Sequence, residues 1–201
     1  MLRKIDKNVK KRAIALAAIP LLAEFGLAKT SVESIALEAN VAKGTVYLYF
    51  KTKEEIVLEI WKYTNELLNQ NRLEKFIISS TSSEKIIHYF DYSILEEEHS
   101  MSVLLKLLAM NMSTILNFSH QGLVKHFKEE ITKELNTLEK ILREGVNNGE
   151  FKKINIELTA KLLSNSFHGT ILNSIGANKN IDEIRAVIHP QIDFLLTSIK
   201  N

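Results

Sequence analysis

The chain has 201 residues, 45% of them hydrophobic and 25% charged, with a formal net charge of +2 at neutral pH. This is the composition of an ordinary globular protein, long enough for one large domain or two small ones. No cysteine is present, which excludes disulfides and thiolate chemistry and is compatible with a reducing cytoplasm.

Two prolines and seven glycines suit long helices better than a turn-rich β fold. No run of 18 apolar residues occurs, so no membrane span or membrane partner is expected. The basic start, MLRKIDKNVKKR, is not followed by a signal-peptide cleavage pattern. A cytoplasmic location is the expectation.

The small net charge hides an asymmetry. Residues 1–53 hold ten Lys/Arg and four Asp/Glu, a local +6, and residues 54–201 carry −4. A basic first quarter points to a polyanion partner; a solvated basic face is the other reading of the same charge.

In chain order, residues 7–25 have helix periodicity, with Ile14, Leu16, Ala17, Leu21, Leu22 and Phe25 on one face. Gly26 suits the helix end, and Pro20 is expected to kink or break the helix. Thr30 and Glu33 have capping-box spacing and open a short helix. Asn40 stops it, and residues 42–50 form a second short helix with Val46 and Phe50 inward. Thr52 and Glu55 open a long helix from Lys53 to about Leu73. Residues 76–83 read as a connection, and Thr81 with Glu84 starts a helix through about Glu98. Residues 101–118 form an apolar, methionine-rich helix, and residues 121–144 a strongly amphipathic one. The GVNNG segment at 145–149 ends it. Asn155 caps a helix to about Ile175, and Asn180 with Glu183 caps the last, which Pro190 should bend. The reading is all-α, with about nine helices and no strand pattern.

The two short helices at 30–50 form a helix–turn–helix. The second can enter the major groove of B-DNA, where its first residues reach base edges. Gly44 permits close backbone approach, and Lys43 and Thr45 flank it. Tyr47 can hydrogen-bond while its ring packs on sugar or a thymine methyl. Tyr49 and Lys53 are placed to hold phosphates, and Thr30 and Ser31, at the start of the preceding helix, are further DNA-binding candidates, Ser31 through its hydroxyl and amide.

The segment resembles the TetR family of bacterial transcriptional regulators. The matching residues are Thr30-Ser31-Val32, Ile35-Ala36, Ala39-Asn40-Val41, Lys43-Gly44-Thr45-Val46-Tyr47, Tyr49-Phe50, Lys51 and Lys53-Glu54-Glu55. Leu22-Ala23, Phe25-Gly26, Glu144-Gly145 and Gly149-Glu150-Phe151 add weaker matches. Asn40 replaces the usual glycine of the turn. Ala42 stands where a hydroxyl is common, so a helix cap or phosphate contact is in doubt. Leu48 stands where a polar or aromatic residue is frequent.

The resemblance implies a helix–turn–helix DNA-binding domain at 1–53 and a helical ligand-binding and dimerisation domain at 54–201. It implies a homodimer on a double-stranded, palindromic operator. The last two helices would pair with their symmetry mates, through Phe167, Gly169, Ile171, Leu172, Val187, Ile188, Phe194 and Leu195; filling the monomer core is the other reading. It also implies a ligand pocket within the middle helices, and their richness in Met and aromatic residues suggests a small apolar or amphipathic effector. Candidate lining residues are Trp61, His88, Tyr89, Phe90, Tyr92, Leu105, Met110, Met112, Phe118 and Phe127; core packing is the other reading of the apolar and aromatic ones, and an exposed or internally hydrogen-bonded side chain that of His88. The expected activity is repression relieved by ligand. The alternative is a DNA-binding regulator without a small-molecule ligand, controlled by a protein partner.

His88 and Asp91 share a helix face, but no third ligand is evident, so neither metal nor cofactor is expected. No Gly-x-Ser-x-Gly, phosphate-binding Gly-rich loop or His-Glu-x-x-His motif occurs, and no enzymatic activity is expected.

Overall fold

The computed structural model describes residues 2–91, 121–177 and 179–201. Eight helices run through the described residues: α1 (Leu2–Lys29), α2 (Val32–Glu38), α3 (Lys43–Tyr49), α4 (Lys53–Ile78), α5 (Ser82–Tyr89), α6 (Gln121–Asn147), α7 (Ile156–Gly176) and α8 (Ile181–Ile199). The protein is all-α, as its helical periodicity implies. Tyr92, Met110, Met112, Phe118 and the helix expected over 101–118 lie outside the described residues.

The chain divides into two compact units. The first holds Met1–Leu67 and His99–His126, and the second Leu68–Glu98 and Phe127–Asn201.

The first unit is built on α1. Its Ile14, Ala15, Ala18, Ile19 and Leu22 are buried at the spacing of one helix face. They pack with Ile35 and Ala36 of α2, Val46 of α3, Phe50, and Ile56, Val57 and Ile60 of α4. Burial of each large side chain contributes about 1.5–3 kcal/mol. That common core fixes α2 and α3 against α1.

Several expectations for this unit change. Helical dihedral angles continue through Pro20, which lies on the exposed side of α1 where water can replace the lost bond. The interruption comes at Gly26, with φ +73° and ψ 169°. Phe25, expected inward, is 49% exposed. The cap of α2 is Ser31, not Thr30. The Ser31 hydroxyl accepts from Ser34 N at 3.0 Å, and Ser34 Oγ accepts from Ser31 N at 3.2 Å. Asn40 holds φ +50° in the turn. Ala42 gives α3 no side-chain cap. At the start of α4, Thr52 Oγ1 accepts from Glu55 N at 3.3 Å, while the Glu55 carboxylate reaches Lys51 N at 2.7 Å.

In the second unit, α4 continues to Ile78, past the expected end, so only residues 79–81 separate it from α5. Thr81 and Glu84 form the expected capping box. The α5 helix ends at Tyr89. The capping box of Asn180 and Glu183 starts α8, and Asn155 Oδ1 accepts from Leu158 N at the start of α7.

The segment after α6 joins three elements. A Cβ built on Gly145 would lie inside van der Waals contact with the Phe151 ring and 3.0 Å from Ser82 Cβ. Glycine is therefore required for the close approach of α6 to Phe151, which is 2% exposed. Lys152 N donates to Ile199 O at 2.9 Å, and Asn201 N to Glu150 O at 3.1 Å, which ties down the chain end.

Glu150 caps α5 from outside that helix. Its carboxylate accepts from Ser82 N at 2.7 Å, Ser83 N at 2.9 Å and Ser83 Oγ at 2.5 Å. Burial pushes the Glu150 carboxyl up, but the hydrogen bonds from Ser83 and Ser82 outweigh it and the net shift is downward from 4.5. A carboxyl lowered on folding stabilises the fold above its unfolded value and loses that contribution as pH falls through the folded value. Glu150→Gln is expected to lower stability by about 1 kcal/mol near neutrality, after allowance for solvent screening. Urea titrations from neutral pH downward should show the difference from the parent chain shrink below pH 4.5 and vanish once the folded carboxyl is itself protonated.

Candidate nucleic-acid interface

The side chains of the helix–turn–helix divide between those that hold it together and those left to solvent. Thr30 belongs to the first group. It is 2% exposed, and its hydroxyl donates to Gly26 O at 2.7 Å. The hydroxyl expected at a DNA surface is thus part of the corner between α1 and α2, and Ser31 is the exposed residue of the pair.

Lys53 has a second task besides the phosphate contact expected of it. Its Nζ donates to Leu27 O at 2.6 Å, Thr30 O at 2.8 Å and Ala28 O at 3.3 Å. An ammonium has three N–H groups, and here all three have acceptors within the chain. Lys53 therefore pins the first turn of α4 to the α1–α2 corner.

On α3 the pattern reverses. Lys43, Gly44, Tyr47 and Leu48 are exposed, Tyr47 at 51% and Leu48 at 77%. Val46 is buried and anchors the helix. Thr45 is half-buried, and Tyr49 packs partly against the core. Among the described residues, nothing beyond its chain neighbours and its own helix backbone lies within 4 Å of a Cβ built on Gly44. Its glycine is not required by the chain's own packing, although glycine within a helix costs about 0.5–1 kcal/mol against alanine. Open space at that point suits a surface approached from outside.

The Lys43 ammonium pairs with the Glu33 carboxylate of α2 and lies 5.9 Å from the Tyr47 ring centre. The hydrogen bond between them holds Lys43 up and Glu33 down from their ordinary values, so both stay charged. In the sequence, Glu33 shows only its capping-box spacing. A carboxylate ten residues before Lys43 carries no local spacing signal, since only the turn brings the two together.

At the start of the chain, Lys11 reaches Glu59 at 2.6 Å and Arg12 reaches Glu66 at 2.6 Å. Arg12 also stacks 4.6 Å from the Tyr63 ring centre. Two of the basic residues that raised the charge of the first quarter are therefore paired with α4. Lys7 and Lys10 are exposed.

The effector candidates do not form one described site. Trp61 belongs to the first unit and packs against its core, with its indole N–H buried and without a hydrogen-bond partner among the described residues. In the second unit Tyr89 is buried, edge-on to Phe90, and the Arg72 guanidinium lies 3.9 Å from its ring centre. His88 and Phe127 are half-buried. Asp91 pairs with Lys75, and no group of three metal-ligating side chains occurs among the described residues.

A buried polar pair lies in the same unit, unforeseen in the sequence. Glu134 is 7% exposed, with its carboxylate 3.1 Å from His168 Nε2. Burial pushes the Glu134 carboxyl up, yet the hydrogen bond and charge of His168 and the bond from Ser164 bring it below its ordinary value. Glu134 and His168 lie on different helices, so no local pattern announces them.

Two residues expected at a dimer interface face inward instead. Phe167 is 2% exposed and stacks with Phe90 at 4.7 Å, and Ile171 is 6% exposed. The outward apolar residues of α7 are Leu158, Leu162 and Leu172, with Gly169 half-buried between them. On α8, Val187 and Phe194 are exposed, at 40% and 73%, and Leu195 is half-buried.

Lys53→Met is expected to lower folding stability by about 1–2 kcal/mol, because three carbonyls lose a charged donor. Tyr47→Ala, which removes an exposed ring, should stay within about 0.5 kcal/mol of the parent chain. Urea denaturation of the two variants checks both.

Comparison with known proteins agrees with this geometry. Residues 14–60 match the model of the tetR family of bacterial regulatory proteins, and residues 66–201 match the C-terminal region of QacR-like proteins. The fatty acid metabolism regulator protein of Bacillus subtilis is 27% identical over 199 residues, 98% of each chain. The crystal structure of the transcriptional regulator FadR from Bacillus subtilis, in complex with stearoyl-CoA, superposes with TM-score 0.73 at 26% identity, over 93% of this chain and 98% of that one. The fatty acid degradation regulator FadR from Bacillus halodurans superposes with TM-score 0.74 at 24% identity, over 93% and 94%. The chain belongs to the TetR family of bacterial regulatory proteins.

Proposed function

We propose that the protein is a cytoplasmic repressor, binding a palindromic operator as a homodimer and released by a long-chain acyl thioester. The observation that carries the ligand class is the extent of the match to the Bacillus subtilis fatty acid metabolism regulator. It covers 98% of both chains, so it includes the helices beyond the DNA-binding segment. The related FadR structure holds stearoyl-CoA, an amphipathic molecule. That fits the class of effector expected from the aromatic and methionine-rich middle of this chain.

The DNA contacts fall to Ser31, Lys43, Gly44, Thr45, Tyr47 and Tyr49. Lys53 sets the position of the unit and meets phosphate only if it leaves its carbonyls. The exposed stripes of α7 and α8 pair with a second copy. Leu158, Leu162 and Leu172 on α7, with Val187 and Phe194 on α8, are large apolar side chains left to solvent in one chain. Pairing removes them from water, and it sets two recognition helices about 34 Å apart, one turn of DNA.

Release follows from α4, a single helix of 26 residues that begins at Lys53. Ligand binding among the middle helices tilts α4, and the α3 helices leave their operator spacing. A coupling free energy of about 1–3 kcal/mol shifts affinity by about 5–150-fold, and it must arise from tighter ligand binding to the released state.

Gel shifts with a promoter fragment test the reading, with stearoyl-CoA, stearate and coenzyme A as separate titrants. Stearoyl-CoA should dissolve the complex while neither half alone does so at the same concentration. A complex indifferent to stearoyl-CoA overturns the ligand class, and control through a protein partner then becomes the working account.

A further inference from the structure

The Glu33–Lys43 pair joins the two helices of the DNA-binding motif at their exposed surface. Both side chains are open to solvent, at 59% and 49%. Ion pairs so exposed add little to folding. Glu33 is also an acid in the first turn of α2, where it favours the helix. That role needs no partner and does not explain why the carboxylate reaches across to α3.

A carboxylate at a DNA-facing surface carries an electrostatic penalty, because it repels phosphates. The Lys43 ammonium has three N–H groups, of which Glu33 takes one. Two remain, enough for the O6 and N7 acceptors of a guanine in the major groove. The same carboxylate offsets the charge that would otherwise draw a flexible lysine to the nearest phosphate. The Tyr47 ring, 5.9 Å from the ammonium, borders it on the third side.

We propose that Glu33 is a positioning residue that reserves the Lys43 ammonium for a guanine edge in the operator and keeps it off the phosphate backbone. The inference rests on the DNA-binding reading of α3 and extends it to a residue outside the recognition helix. Glu33 thus trades affinity for discrimination. Its removal leaves a lysine free to bind any sequence through phosphate.

The test uses the full chain, as parent, Glu33→Gln, Lys43→Gln and the double variant. Fluorescence anisotropy measures binding to an operator and to versions in which each G·C pair of the half-site is replaced symmetrically by A·T. The parent should discriminate against guanine loss at one position of the half-site. Glu33→Gln should reduce that discrimination by about tenfold. Its log K against log salt should steepen by about 0.9, the release expected from one added phosphate contact. Both changes should be absent when Glu33→Gln is made in the Lys43→Gln background. Discrimination unchanged in Glu33→Gln, or lost equally with and without Lys43, overturns this inference alone. A parent chain that binds no DNA overturns the proposed function and this inference with it.

Discussion

The Lys53 ammonium sits where α1 ends, α2 is about to begin and α4 starts. Its three acceptors are carbonyls of Leu27, Ala28 and Thr30. Those carbonyls lie just beyond Gly26, whose left-handed φ turns the chain out of α1. Thr30 completes the corner from below, with its hydroxyl on Gly26 O. The orientation of the recognition helix relative to α4 depends on this junction. Helices α2 and α3 share one apolar core with α1, and α4 meets them through a hydrogen-bonded corner as well as through Ile56, Val57 and Ile60 of that core. A rotation of α4 has to carry or break that corner, and the proposed release by ligand would use it to reach the recognition helix.

What the fold leaves unused gives the DNA surface its character. Val46 alone is fully buried on α3. Gly44 has open space where a side chain could stand, and Tyr47 and Leu48 are held out in solvent. A short helix with one buried anchor and a row of exposed polar and aromatic groups is poorly explained by folding alone. The exposed Leu48 adds an apolar group suited to a thymine methyl, where polar contacts were in doubt.

The all-α class was legible because long amphipathic patterns and capping boxes act locally. The boxes at Thr81–Glu84 and Asn180–Glu183 stand as their spacing implied. The α2 cap shifted by one residue because Ser31 and Ser34 have the same spacing as Thr30 and Glu33, and burial of Thr30 decided between them. For Phe167 and Ile171 the sequence leaves dimer face and monomer core open, because an apolar helix shows no preferred face without its neighbours. Packing on Phe90 turned Phe167 inward. The outward stripe at Leu158 and Leu162 obeys the same helical spacing and could have been found by it. Glu33–Lys43 and Glu134–His168 could not, since tertiary contact between separate helices creates both pairs.

The central claim is that α3 is one half of a two-fold DNA reader. Selection of bound fragments from a random double-stranded pool, using the full chain, tests it most directly. The account predicts an enriched inverted repeat with half-site centres about one helical turn apart and a guanine within each half-site. Recovery of no enriched sequence, or of a single unrepeated site, would contradict it.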